Sequence, residues 1–196
     1  MKQIGMKHIS MKPTLWTLAM LAALTSPLVH AVEYNTVLPK QSAVNFTFQQ
    51  MGVSIDGHFK RFVAQMKFDP AKPEQAQAQI DIDLTSIDAG SSEADEESAG
   101  RLWFNSKTYP RATFVSSRIR ALGNNRYAMQ GALTIKGRSR ELTVPVQFNP
   151  AKTGAAFDGS FVLKRLDFGI GEGMWADVAT VANEVQVKFR IVASGK

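Results

Sequence analysis

The chain has 196 residues, 44% of them hydrophobic and 9% aromatic, with 14 glycines, eight prolines and no cysteine. Without cysteine there is neither a disulfide framework nor a thiolate metal site, so stability has to come from burial and backbone hydrogen bonding. The net charge of +6 comes from 23 basic and 17 acidic residues that are interspersed, whereas a nucleic-acid binder shows a clustered basic face.

Residues 1–31 read as an export signal. Lys2, Lys7 and Lys12 precede an apolar run from Thr14 to Leu24, and the small-residue sequence Val29-His30-Ala31 follows, with no acid anywhere in the segment. A positive start, a short apolar stretch and an A-x-A-like end are the three parts of a secretory signal. The run is shorter than the roughly 20 apolar residues that cross a bilayer, and no second run of that length follows, so no transmembrane segment is expected after cleavage behind Ala31. Removal leaves 20 basic residues against 17 acidic ones and His58 as the sole histidine. Residues 32–196 then suit one domain with a sizeable core.

Apolar and polar residues alternate through this domain with period two, the mark of strands with one buried face. The inward phase reads Val44, Phe46, Phe48; then Ala64, Met66, Phe68; then Ala76, Ala78, Ile80, Ile82, Leu84. It continues with Ala112 and Phe114, Tyr127 to Ile135, Leu142 to Phe148, Phe157 to Leu163, and Val185 to Ile191. Turn chemistry separates the runs at Asp69–Pro73, Gly123-Asn124-Asn125, Lys136-Gly137 and Asn149–Gly154. Pro145 implies an edge or a bulge. Ser92–Gly100, with a capping serine, early acids and a glycine stop, predicts one short helix. Short connections and about eight strands predict an all-β fold, a single antiparallel barrel, whose closure removes exposed edges; a two-sheet sandwich is the alternative.

Catalytic material is sparse. His58 lacks a partnered nucleophile. Glu93, Asp95, Glu96 and Glu97 lack calcium-loop spacing and read as a solvated helix start. Gly169–Gly173 does not open a helix after a parallel strand, so it cradles no dinucleotide. No catalytic and no metal-binding residue is assigned. Seven phenylalanines lie on the inward phase, with Ala76, Ala78, Gly131 and Gly159 between them as positions that leave volume unfilled. A barrel of this size is either plugged by side chains or holds one slender ligand, and the pattern serves both.

Four stretches carry a family resemblance: Ser42–Phe48 with Met51-Gly52-Val53 and Gly57-His58-Phe59; Phe68-Asp69-Pro70 with Ile80–Asp88; Trp103-Phe104-Asn105 with Tyr109–Phe114; and Gly131–Gly137 through Val144-Pro145-Val146 to Arg165–Gly169. In order and spacing, from about Tyr34 to Ala193, the chain resembles the YceI family of exported, lipocalin-like polyisoprenoid-binding proteins. It departs from them in Leu166, where a serine is common, and in the Gly169–Thr180 loop. The resemblance implies an extended eight-stranded barrel enclosing an apolar tunnel for an isoprenoid chain, a periplasmic address, and no established catalysis. The implied partner is an isoprenoid lipid or quinone, with no cofactor beyond such a ligand; homodimers are common among similar barrels. On this reading Phe46, Phe48, Phe59, Met66, Phe68, Phe114, Met129, Leu133, Phe161 and Leu163 are the tunnel walls. Phe104, Phe168, Met174 and Trp175 form the mouth or a lid, which Gly169, Gly171 and Gly173 allow to move. Lys60, Arg61 or Arg165 would meet a polar or anionic head group. The alternatives are an envelope enzyme that uses the same cavity with His58 or Asp167 as acid or base, and an envelope stress-related interaction module with a filled core.

Overall fold

The alternating runs become strands of one antiparallel sheet in the computed structural model, which describes residues 32–195; the predicted export signal lies outside the described residues. The strands are β1 (Tyr34–Val37), β2 (Ala43–Gln50), β3 (Val53–Phe59), β4 (Phe62–Lys67), β5 (Gln77–Asp83), β6 (Ile87–Asp88), β7 (Arg111–Gly123), β8 (Arg126–Ile135), β9 (Arg138–Ala151), β10 (Gly154–Lys164) and β11 (Glu184–Gly195). Eleven strands are observed where about eight were expected. The difference is largely one of breaks. β3 and β4 follow one another across Lys60–Arg61, β5 and β6 across the single turn Leu84–Ser86, and β4 pairs with β5 while β3 pairs with β6. Counted as two interrupted strands, they complete an eight-membered ring with β2 and β7 to β11.

Ser86 holds the two breaks together. Its Oγ accepts from the Arg61 N–H at 2.9 Å and donates to the Asp83 carbonyl at 2.6 Å, and its own carbonyl accepts from the Lys60 N–H at 2.9 Å. The eleventh strand, β1, fills the remaining gap between β11 and the end of β4. Tyr34 exchanges both backbone hydrogen bonds with Phe68, at 2.8 and 3.1 Å, while β1 pairs with β11 from Val37↔Ala193 to Tyr34↔Gly195.

Local chemistry explains the turns and the irregularities. Asn124 and Asn125, and Lys136 and Gly137, all adopt positive φ, the geometry of tight hairpins whose twist matches the strands. In β7 a bulge between Ser116 and Arg118 resets the phase, so the buried set passes from Ala112 and Phe114 to Ile119. Pro145 occupies a local edge, as expected. β9 pairs with β8 from Arg138 to Gln147, but its ladder to β10 stops at Val146↔Gly159, so the stretch up to Pro145 has a strand partner on one side alone and the missing N–H breaks no ladder there. The helix α1 spans Ser92–Ala99, capped by Ser91, one residue earlier than predicted, whose Oγ accepts from the Ala94 N–H at 3.2 Å.

The barrel interior divides along its axis. At the end closed by β1, Tyr34, Phe68, Tyr127, Phe148 and Phe157 pack ring against ring, with centroids 5.0–5.4 Å apart for Phe68–Tyr127, Phe68–Phe157, Phe148–Phe157 and Tyr34–Phe148. These edge-on and tilted arrangements suit the aromatic quadrupole, and all five residues are buried. The other end is open.

Candidate functional site

The open half of the barrel encloses a cavity of about 610 Å³. Its walls come from every part of the ring, because the inward residue of each strand points to the same axis. Ten of the sequence-predicted residues line it: Phe46, Phe48, Phe59, Phe104, Phe114, Met129, Leu133, Phe161, Leu163 and Trp175.

Four do not. Met66 and Phe68 lie below it, on a second pocket of about 50 Å³ that shares only Ile80, Met129 and Phe189 with the large one. They were placed by inward phase alone, which fixes a side of the sheet and not a height along the axis. Phe168 is 2% exposed and packs within the core rather than on the cavity. Met174 turns outward and is 78% exposed.

Lining residues outside the predicted set include Val44, Leu84, Ile87, Trp103, Val185, Val187 and Phe189. The period-two pattern already carried Val44, Leu84, Val185, Val187 and Phe189; their neighbourhood could not be read from one strand at a time.

Gly131 and Gly159 are not gaps, contrary to the sequence expectation. The Phe189 ring lies across Gly159, its direct cross-strand partner, and the Phe46 ring lies across Gly57 in the same relation. Gly131 likewise receives the Phe114 ring from the neighbouring strand. A Cβ at any of the three would overlap the ring. Each glycine lets a phenylalanine lie back against the wall instead of standing into the lumen, so the cavity is kept open by rings folded flat.

The polar part of the lining is confined to Gln50, Ser91, Glu93, Glu97, Ser98 and Arg165. Of the three cations proposed for a head group, none has a free charge at the cavity. Lys60 pairs with Asp88 at 2.9 Å, and Arg61 pairs with Asp83 at 2.9 Å and donates to Thr85 at 3.0 Å; neither lines the cavity. Arg165 does line it but is 1% exposed. Its Nε donates to the Ala182 carbonyl at 3.0 Å, Nη1 to Ile170 and Gly171 at 2.9 and 3.1 Å, and Nη2 to Trp175 and Val181 at 2.7 and 2.6 Å. All five N–H groups of a guanidinium are thereby used. Burial lowers its pKa from the ordinary arginine value, and the carbonyls replace the lost water.

That cation organises the loop between β10 and β11. Ile170, Trp175 and Val181 of the loop reach the cavity wall. Gly171, at φ +77°, brings its backbone so close to Arg165 that a side chain would overlap the guanidinium. A second clasp forms outside. Lys136 Nζ donates to the carbonyls of Gly169 at 2.7 Å and Arg101 at 3.1 Å and to Glu172 Oε2 at 2.9 Å. The Lys136 hydrogen bond, opposed by burial and aided by the charges of Lys136 and Arg138, holds the Glu172 carboxyl below the usual range. Trp103 packs against Trp175 in a tilted arrangement at 5.5 Å and lies beneath Arg165 at 5.6 Å, and its Nε1 is the single buried side-chain polar atom without a partner among the described residues.

The helix acids are not merely solvated. α1 lies over the cavity, with Ser91, Ala94 and Ser98 on the facing side and Glu93 and Glu97 at the rim. His58 and Asp167, the candidate acids or bases, are exposed and outside the lining. Among the described residues no group of three or more His, Cys, Asp or Glu could hold a metal ion, and no helix is long and apolar enough to cross a membrane.

Comparison with known proteins agrees with this architecture. The YceI-like domain matches residues 36–193. A UPF0312 protein of Pseudomonas putida is 30% identical over 187 residues, covering 91% of this chain and 97% of that protein. The crystal structure of Burkholderia cenocepacia BcnA matches with a TM-score of 0.79 and 46% identity, over 81% of this chain and 99% of BcnA. A polyisoprenoid binding domain from Saccharophagus degradans, implicated in plant cell wall breakdown, matches with a TM-score of 0.63 over 84% of this chain and 98% of that domain; at 16% identity it shares the fold. With the family match running from β1 into β11, the chain belongs to the YceI-like family.

Proposed function

We propose that this protein binds an isoprenoid chain, as a polyprenyl lipid or the tail of a quinone, and shields it in the aqueous periplasm without transforming it. The observation that carries the reading is the cavity of about 610 Å³, with aromatic and aliphatic walls and polar groups gathered at one end. That lining suits an amphiphile with an apolar body. The binding named for the Saccharophagus degradans domain of the same fold supports the choice of chain. The signal-like residues 1–31 support the address.

Burying each aliphatic carbon yields roughly 0.8 kcal/mol. About two isoprene units therefore give the ~8 kcal/mol of a micromolar complex, and further units offset the cost of association. A binding role rather than an enzymatic one is favoured because the two candidate acid–base groups, His58 and Asp167, lie outside the cavity lining.

Organic extraction of freshly purified protein, followed by mass spectrometry, should release an isoprenoid species. Protein that is reproducibly empty and takes up no isoprenoid when incubated with one would sink the proposal.

A further inference from the structure

The charges at the cavity bear on a question left open by an apolar lumen: which head group the bound chain carries. Three charged residues line the cavity, Glu93, Glu97 and Arg165. Arg165 has no N–H left to give, since all five go to backbone carbonyls within 3.1 Å. Its charge is sunk in the wall, 1% exposed. Lys60, the cation nearest in sequence to the wall residue Phe59, is tied to Asp88.

The two carboxylates differ from Arg165 in every respect. They sit one helical turn apart on α1, at the rim, exposed to solvent and to whatever protrudes from the cavity. Neither forms an ion pair among the described residues. Hydrogen bonds from its own backbone N–H and from Ser91 hold the Glu93 carboxyl below the usual range, so it is ionised at neutral pH. An ionised carboxylate only accepts hydrogen bonds. Gln50 and Ser98 are neutral and can serve a donor or an acceptor, and the Ser91 hydroxyl is engaged with Glu93 and the Ala94 N–H, so the free charge decides.

Resting on the isoprenoid reading above, we infer that the mouth selects lipids whose head group is cationic or donates a hydrogen bond, such as an amine or a hydroxyl, and rejects phosphate-bearing ones. A phosphate seated there would meet two like charges and no free cationic N–H. An alcohol or quinol would donate to Glu97 or Glu93, and an amine would add charge attraction, which at a partly exposed rim is screened by salt.

Three probes with one chain isolate the head group: geranylgeraniol, geranylgeranylamine and geranylgeranyl monophosphate, each competing with a fluorescent apolar reporter at pH 7.5 and low salt. The amine should bind tightest, and the phosphate about tenfold or more weaker than the alcohol. The double variant Glu93→Gln/Glu97→Gln, checked for an unchanged circular dichroism spectrum, should bring the three affinities together, as should high salt in the native protein. A phosphate that binds as tightly as the alcohol overturns the inference, as does a ranking that survives in the double variant. If none of the three displaces the reporter, the isoprenoid reading itself fails; if all three displace it equally, only the head-group inference does.

Discussion

The two ends of the barrel use the same residue type for opposite purposes. At the β1 end Phe68, Phe148 and Phe157 meet Tyr34 and Tyr127 ring to ring and leave only a small pocket. At the other end Phe46, Phe114 and Phe189 lie against glycines of neighbouring strands and leave about 610 Å³ unfilled. Aromatic content does not decide between a plug and a cavity. What each ring lies against does: another ring closes the lumen, whereas a glycine on the neighbouring strand lets the ring fold into the wall.

This contrast predicts different costs for the same truncation. Phe148→Ala should remove about 3–5 kcal/mol from the unfolding free energy, the scale of deleting a fully packed ring, as read by urea denaturation. Phe161→Ala, at the half-buried cavity wall, should cost about 1–2 kcal/mol, since it gives up only part of a ring's burial, while weakening lipid retention. Equal costs at the two sites would mean the cavity end is packed like the plug.

Arg165→Met is the next largest, about 2–4 kcal/mol, because it strands carbonyls that the guanidinium satisfies. Its effect should be confined to one end. Hydrogen exchange should rise across residues 169–182 and remain slow in the strands around Phe148. Loss of protection at both ends would show that the loop and the plug unfold as one unit.

Gly159→Ala should be milder for stability, about 1–3 kcal/mol as for other overpacked sites. It should nonetheless reduce uptake of an isoprenoid probe, because the Phe189 ring is driven from the wall into the lumen. Uptake equal to the native protein would show that the ring has room to move elsewhere.

Much of the fold was legible because period-two alternation needs only one strand to be seen. Val44–Phe48, Tyr127–Ile135 and Phe157–Leu163 announce their buried faces without help. The short strands escaped: β1 offers four residues and β6 two, too few to show a period. β3 escaped for another reason, since Gly57 occupies one of its inward positions and Val53 is exposed. The site was legible in part. Phase shows which side chains face inward, and the height that separates Met66 and Phe68 from Phe46 and Phe161 arises from stagger around the ring. Arg165 misled because a cation near a mouth reads as a ligand for anions, whereas its five carbonyl acceptors come from a loop whose path is a tertiary property. The acids of α1 misled in the reverse sense, since nothing local shows what lies under a helix.

The gap between β11 and β4 is filled by β1, so the first described strand, beginning at Tyr34, is zipped against the last, ending at Gly195. That pairing has the greatest sequence separation the domain allows, and long-range pairings form slowly because chain entropy must be surrendered before they contribute. A growing polypeptide therefore has no finished container until β11 has been made. If the protein binds lipid as proposed, loading is in consequence an event of the completed domain, and fragments that stop before β11 should be empty however well their hairpins form.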